Sequence, residues 1–150
     1  MTHAHGAQPT SRAAAPAGRF AQVKSVALYV VQGLLAVFFV RMGALPALLA
    51  EPGAKGTFED IGFGLWFMYL TGALELLGAI ALLTPWLSGP AALGLMGVMA
   101  GACLTHVTLY DGRGASTPAL ILIPLALVAW GRWGTTRQLL TRLRPGTPRR

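Results

Sequence analysis

Four apolar segments, separated by short polar punctuation, restrict this chain more than any other feature. They cover residues 23–49, 63–84, 90–110 and 117–133. A helix crosses the hydrocarbon core of a bilayer with about 20 mostly apolar residues. The second and third segments meet that length directly. The first, "VKSVALYVVQGLLAVFFVRMGALPALL", is longer and is expected to tilt or to end near Pro46. The fourth, "TPALILIPLALVAWGRW", is short. Its Pro118 stands near the start, where proline is tolerated, and Pro124 is expected to kink it. Residues 51–62, "EPGAKGTFEDIG", read as a loop with charges, Gly and Pro; residues 85–90 read as a tight turn and residues 111–116 as a polar turn. Short connections force antiparallel neighbours. The expected fold is therefore all-α: an integral membrane four-helix up-down bundle over residues 23–135.

Charge agrees with this reading. Only 11% of residues are charged and 54% are hydrophobic, against about 25% charged in soluble domains. Arg12, Arg19 and Lys24 precede or open the first segment, and Arg132, Arg137, Arg142, Arg144, Arg149 and Arg150 lie at or beyond the end of the last. A net charge of +7 could point to nucleic acid. Here the basic residues flank apolar spans with no interleaved aromatics and no recognisable fold motif, which argues against it. Their role is topological and lipid-facing. An even number of spans puts both termini on one side. The first and third connections hold Glu51, Glu59, Asp60 and Asp111 against only Lys55 and Arg113. The positive-inside rule then places both termini in the cytoplasm and the chain, multi-pass, in the inner (plasma) membrane. Trp66, Tyr69, Trp86, Tyr110, Trp130 and Trp133 fall near span ends, as interfacial aromatics do.

The ends carry little structure in this reading. Residues 1–22 are rich in Ala, Gly and Pro and are expected to form a disordered cytoplasmic tail; residues 136–150 are expected to form a basic one. No cleaved signal peptide is expected, because the polar lead is long and no clear cleavage site follows the first apolar run. His3 and His5 make a poor metal site in such a tail. Cys103 is the only cysteine, so an intrachain disulfide, a CxxC pair and a Cys-rich zinc site are all impossible. By itself Cys103 reads as a small buried hydrophobe.

Polar residues inside the spans carry the functional expectation. Glu75 stands alone in "GALELLGAIALL". Counted from Phe63 it lies about 18 Å along its helix, near the bilayer midplane. Burying a charge there costs at least about 2.5–3.5 kcal/mol on insertion scales. Such a residue should face the bundle and be protonated or paired. Its face carries Met68, Thr71, Gly72, Gly78, Ala79 and Leu82, small enough nearby for close helix approach or for a ligand. His106 lies toward the outer side, with Met99, Cys103 and Tyr110 on its face; it serves either a structural hydrogen bond or a site. Arg41 either snorkels to the outer headgroups or turns inward to Glu75, Glu59 or Asp60. Gly97 and Gly101 form a GxxxG pair read as helix packing. The candidate acid/base residues are Glu75, His106 and Arg41. The candidate ligand contacts are Tyr69, Thr71, Gly72, Met99, Cys103 and Thr105. Glu75 is about 10 Å deeper than the other two polar residues, so a chain through Tyr69, Thr71, Thr105 or water is easier than direct contact.

The segment "FEDIGFGLWFMYLTGALELLGAIALLTP" resembles the second-helix signature of DoxX-like membrane proteins: an aromatic-plus-acid lead-in, an Ile-Gly pair, then G-x-L-E-L-x-G-A-I-x-L-L and a proline. "LMGVMAGACLTHV" resembles the family's third helix, ending in a Thr-His pair, and "PALILIPLALVAWGR" its fourth. The likeness covers residues 23–135. It implies a small four-helix membrane protein. The family's first helix commonly ends in G-x-x-Lys; here Pro46 stands at that place, so a role for the lysine passes to Arg41 or to nothing. Relatives are associated with quinone-linked sulfur oxidation, amine-dehydrogenase maturation or receptor assembly, and fold analogy does not choose among these.

Two functions are expected from the residues. One is an accessory or binding subunit. It would hold an apolar ligand such as a quinone or lipid-like molecule, or a membrane redox partner or second copy, through Glu75 and His106. The alternative is a membrane enzyme doing acid/base chemistry (isomerisation, cyclisation or epoxide opening) on a lipid-like substrate. A transporter is disfavoured, since four helices without an internal repeat make a poor alternating-access machine. The residues name no cofactor and no metal.

Overall fold

Helices account for every regular element among the described residues, 16–134, of the computed structural model. Helix α1 is Pro16–Phe38; it continues through a π-helical segment, Phe39–Ala44, into α2, Leu45–Leu48. Helix α3 is Pro52–Ile61, α4 Leu65–Leu83, α5 Ser88–Leu109 and α6 Ser116–Gly131. The first helix starts at Pro16, inside the expected tail; residues 1–15 and the basic tail 136–150 lie outside the described residues.

Pro46 does not end the first helix. A proline ring clashes with the carbonyl four residues earlier and lacks an N–H. The π-helical turn immediately before α2 widens the backbone there, so the chain carries the proline at the start of α2. The true stop comes at Ala50, which takes a left-handed φ of 53°. Its N–H bonds the Ala47 carbonyl at 3.3 Å and the Glu51 N–H bonds the Pro46 carbonyl at 2.9 Å, which is a Schellman closure.

Residues 51–62, expected as a loop, are instead the helix α3. Pro52 occupies its first turn, and Gly62, at φ 82°, closes it by accepting the left-handed geometry. Gly53 and Gly56 weaken helix propensity, but Ala54, Thr57, Phe58 and Ile61 recur at the spacing of one helix face and line a cleft together. Packing of that face outweighs propensity. Pro124, by contrast, sits inside α6, which continues as one helix on both sides of it.

Three helices are long and apolar enough to cross a membrane: Gln22–Leu48, Leu65–Leu83 and Ser88–Leu109. The fourth apolar helix, α6, has 16 residues and is shorter than that. All four share one core. Leu35, Ala36 and Phe39 meet Ala79 and Leu82 of α4, Ala92, Leu95 and Met99 of α5, and Leu125, Val128 and Ala129 of α6. Helix α4 packs against α1, the π-helical segment, α2, α3 and α5, and α6 packs against α5 and α1. Close approach needs glycine at two points on α4. A β-carbon on Gly72 would lie 2.8 Å from Ala47 Cβ, and one on Gly78 would lie 2.7 Å from Leu95 Cδ2. The outer surface is apolar: Leu34, Val37, Leu77, Ile80, Leu104, Ile123 and Leu127 are exposed. A belt of that size faces lipid, not water.

Candidate functional site: an apolar cleft with a buried carboxyl

The sequence places Glu75 at the middle of α4, a 19-residue helix about 28 Å long. Its side chain turns inward and is 6% exposed. Among the described residues it has no hydrogen bond and no ion pair. Gly43, in the π-helical segment, lies directly over the carboxyl; a β-carbon there would overlap it.

The carboxyl borders a cleft of about 790 Å³, within the range of small-molecule sites. Its floor is Met42, Gly43, Pro46 and Ala47; one wall is Phe67, Thr71, Leu74 and Glu75 of α4. The facing wall is α5, from Gly94 through Gly97, Met99 and Gly101 to Thr105 and His106. The cavity face of α3, which includes Phe58, covers one end together with Phe63. Phe58, Phe63 and Phe67 meet edge-on there, with ring centroids 5.7 and 5.3 Å from Phe67. Gly94, Gly97, Gly101 and Leu104 are exposed, so the site is an open cleft and not a sealed void.

The polar groups on these walls are few and mostly committed. The Thr71 hydroxyl donates to the Phe67 carbonyl at 2.9 Å, and the Thr105 hydroxyl to the Gly101 carbonyl at 3.1 Å. Thr57 does the same to Gly53 at 3.1 Å. His106 Nδ1 lies 2.8 Å from the Arg113 carbonyl. A carbonyl only accepts, so Nδ1 carries the proton and Nε2 is left as the other ring position. Gly114, at φ 84°, lets the turn fold over this ring: a β-carbon there would stand 2.9 Å from His106 Cε1. One turn on, the Tyr110 hydroxyl donates to Asp60 Oδ2 at 2.6 Å, tying the end of α5 to α3. That hydrogen bond, then desolvation and the charge of Asp60, raise the Tyr110 phenol above its ordinary 10.0, with nearby Thr57 acting in the other direction.

Of the residues singled out in the sequence, Glu75, His106, Thr71, Met99 and Thr105 meet on this cleft. Tyr69, Gly72, Cys103 and Arg41 do not line it. Tyr69 is exposed. Gly72 is buried against α2. Cys103 Sγ faces the Ala115 carbonyl at 4.0 Å. Arg41 is exposed and makes no ion pair with Glu75, Glu59 or Asp60 among the described residues. Gly97 and Gly101, read as a helix-packing pair, have nothing within 4 Å of an added β-carbon; they widen the cleft instead. The α3 face and Gly43 were not singled out. The spacing of Ala54, Thr57, Phe58 and Ile61 carried the signal for α3; Gly43 had none in sequence.

A second polar cluster lies apart from the cleft. Gln32 is fully buried, and its Oε1 accepts from Arg132 Nη2 at 3.3 Å. The Arg132 guanidinium also sits 4.5 Å over the Tyr29 ring. This pins α1 to the end of α6.

Among the described residues no group of three or more His, Cys, Asp or Glu could hold a metal ion. Helices of spanning length with leucine-rich outer faces define an integral membrane protein. Within that class the chain belongs to the DoxX-like family, whose model matches residues 30–129. That match takes in the whole cleft, from Met42 to His106. No curated protein and no solved structure matches the chain.

Proposed function

We propose that the protein is a membrane-embedded binding or accessory subunit that holds an apolar small molecule in this cleft. The supporting observation is Glu75: a carboxyl 6% exposed, without a partner among the described residues, on the wall of a cleft of about 790 Å³ whose other lining is mostly apolar side chains and glycine, with Thr57, Thr71, Thr105 and His106 as its few other polar residues. A few polar groups among apolar walls orient a ligand; the apolar area holds it. A quinone or lipid-like molecule is the candidate class, and a membrane redox partner or second copy the candidate protein contact. The chain in this reading is a four-helix up-down bundle in the inner membrane, with α6 as the fourth span, both termini cytoplasmic and α3 at the outer surface.

Glu75 and His106 on one cleft also fit acid/base chemistry on a lipid-like substrate, with one residue as acid and the other as base. One experiment separates the readings. The protein is purified in mild detergent, extracted with organic solvent and analysed by mass spectrometry. A stoichiometric apolar molecule that is retained unchanged by wild type and lost from Glu75→Gln supports the binding subunit. Conversion of an added lipid-like substrate, abolished by Glu75→Gln, supports the enzyme. Neither retention nor turnover in wild type overturns both.

A further inference from the structure

The cleft is a long trough. It follows α5 from Gly94 to His106, a rise of about 18 Å. Its glycine wall, Gly94, Gly97 and Gly101, is exposed, and a β-carbon added at any of the three meets nothing within 4 Å. A groove of that length, open along its side, fits an extended alkyl chain lying lengthwise.

Polar groups stand at two levels of this trough. Thr57, Thr105 and His106 gather at the α3 end. The His106 Nδ1 proton goes to the Arg113 carbonyl, which leaves Nε2 for a ligand. Glu75 stands apart from them. A β-carbon on Gly78 of α4 would touch Leu95 of α5. In the antiparallel pair this register brings Phe67 level with His106 and Glu75 level with Val98, and all four line the cleft. The rise along α5 from Val98 to His106 is about 12 Å. Between the two levels the Thr71 hydroxyl already donates to the Phe67 carbonyl at 2.9 Å. An extended chain covers that separation with about nine or ten carbons.

We propose that the cleft takes a lipid with an oxygen in mid-chain: an extended alkyl chain whose polar head meets His106 and Thr57, and whose hydroxyl or ketone, about ten carbons along, meets Glu75. This rests on the ligand-binding reading above and names the class of ligand. The uncharged carboxyl that hydrocarbon favours carries both an O–H and a C=O, so it serves a hydroxyl and a ketone alike. A plain tail in the same groove would cover Glu75 and leave it unpaired, and a buried polar group without a partner is costly. The discrimination is therefore one of position along the chain.

The test uses the full chain in nanodiscs. The probe is a radiolabelled octadecanol bearing one ketone about ten carbons from the alcohol. Unlabelled competitors are the same molecule, its isomers with the ketone near the head or near the far end, and plain octadecanol, each corrected for partition into protein-free discs. The mid-chain ketone is expected to displace the probe at least about tenfold more effectively than either isomer or the plain alcohol. Glu75→Leu, or Glu75→Met where the leucine variant does not fold, should level the three isomers. The isomers share one composition, so their ratio reads position and not hydrophobicity. Equal displacement by the isomers in wild type, or the same optimum without the acid, overturns this inference and leaves the binding reading standing. No saturable binding of the probe or of any competitor to wild type overturns both.

Discussion

Gly43 and the Glu75 carboxyl occupy adjoining space so closely that a β-carbon on Gly43 would overlap the carboxyl group. The first helix therefore sets the position of the acid on α4. The contact also explains why a π-helical turn matters here, since residues Phe39–Ala44 present Gly43 toward α4.

Gly43→Ala should push the Glu75 side chain out of place and destabilise the protein by about 1–3 kcal/mol, the usual cost of overpacking a core. The matched control is Gly33→Ala, where an added β-carbon meets nothing within 4 Å. That change should be neutral or slightly stabilising, because alanine favours a helix over glycine. The double variant Gly43→Ala/Glu75→Ala removes the obstacle and should recover most of the loss. Thermal unfolding in detergent of wild type, these three variants and the single variant Glu75→Ala reads this directly. Additive effects at positions 43 and 75 would refute the contact.

Gly72 and Gly97 look alike in sequence and differ in surroundings. Gly72→Ala places a β-carbon 2.8 Å from Ala47 Cβ and 3.3 Å from the Ala44 carbonyl. It should part α4 from α2 and lower the unfolding temperature. Gly97→Leu fills open cleft and should leave stability near wild type while displacing any retained ligand. Unfolding curves paired with mass spectrometry of the organic extract separate the two effects.

Tyr110 and Asp60 give a pH signature just beyond the end of α5, Ser88–Leu109. The phenol is raised above 10.0, first by its hydrogen bond to Asp60. Folding thus favours the neutral phenol. The resulting stability is fully present below the ordinary value and is lost as pH rises through the raised one. In an ultraviolet titration, the tyrosinate signal missing from Tyr110→Phe should appear at higher pH than that of the unfolded chain. Asp60→Asn should bring it back down. A Tyr110 titration unchanged by Asp60→Asn would rule out the tie between α3 and α5.

Arg132 and Gln32 form a part-buried polar contact between α1 and the end of α6. Arg132→Leu leaves the fully buried amide without this partner and should cost about 1–3 kcal/mol. Adding Gln32→Leu should return part of that, since two apolar groups in place of a polar pair come close to neutral. Reversible unfolding in mixed micelles checks the sign of the recovery.

Much of the architecture was readable because hydrocarbon is an exacting solvent. The apolar periods of α4 and α5 and the polar breaks after Thr84 and Tyr110 appear directly in the residues. So does the inward turn of Glu75, which follows from the cost of an acid facing lipid. What escaped was governed by tertiary contact. Residues 52–61 carry two glycines and several charges, and only the cleft beneath them makes Ala54, Thr57, Phe58 and Ile61 a helix face. Pro46 reads as a stop because sequence does not reveal a widened turn before it. The Gly97–Gly101 spacing fits packing and cavity equally well, and only the neighbour's absence decides. Gln32 gives no sign in the sequence of its partner, Arg132, which lies 100 residues further on.

The exposed glycine wall of α5 sits midway along an apolar helix, so the opening faces acyl chains rather than aqueous solution. In the proposed binding role, occupancy would be set by mole fraction in the surrounding leaflets, with phospholipid tails as the competitor. A molecule too scarce to register in cytosol would then suffice, provided it partitions into the same membrane.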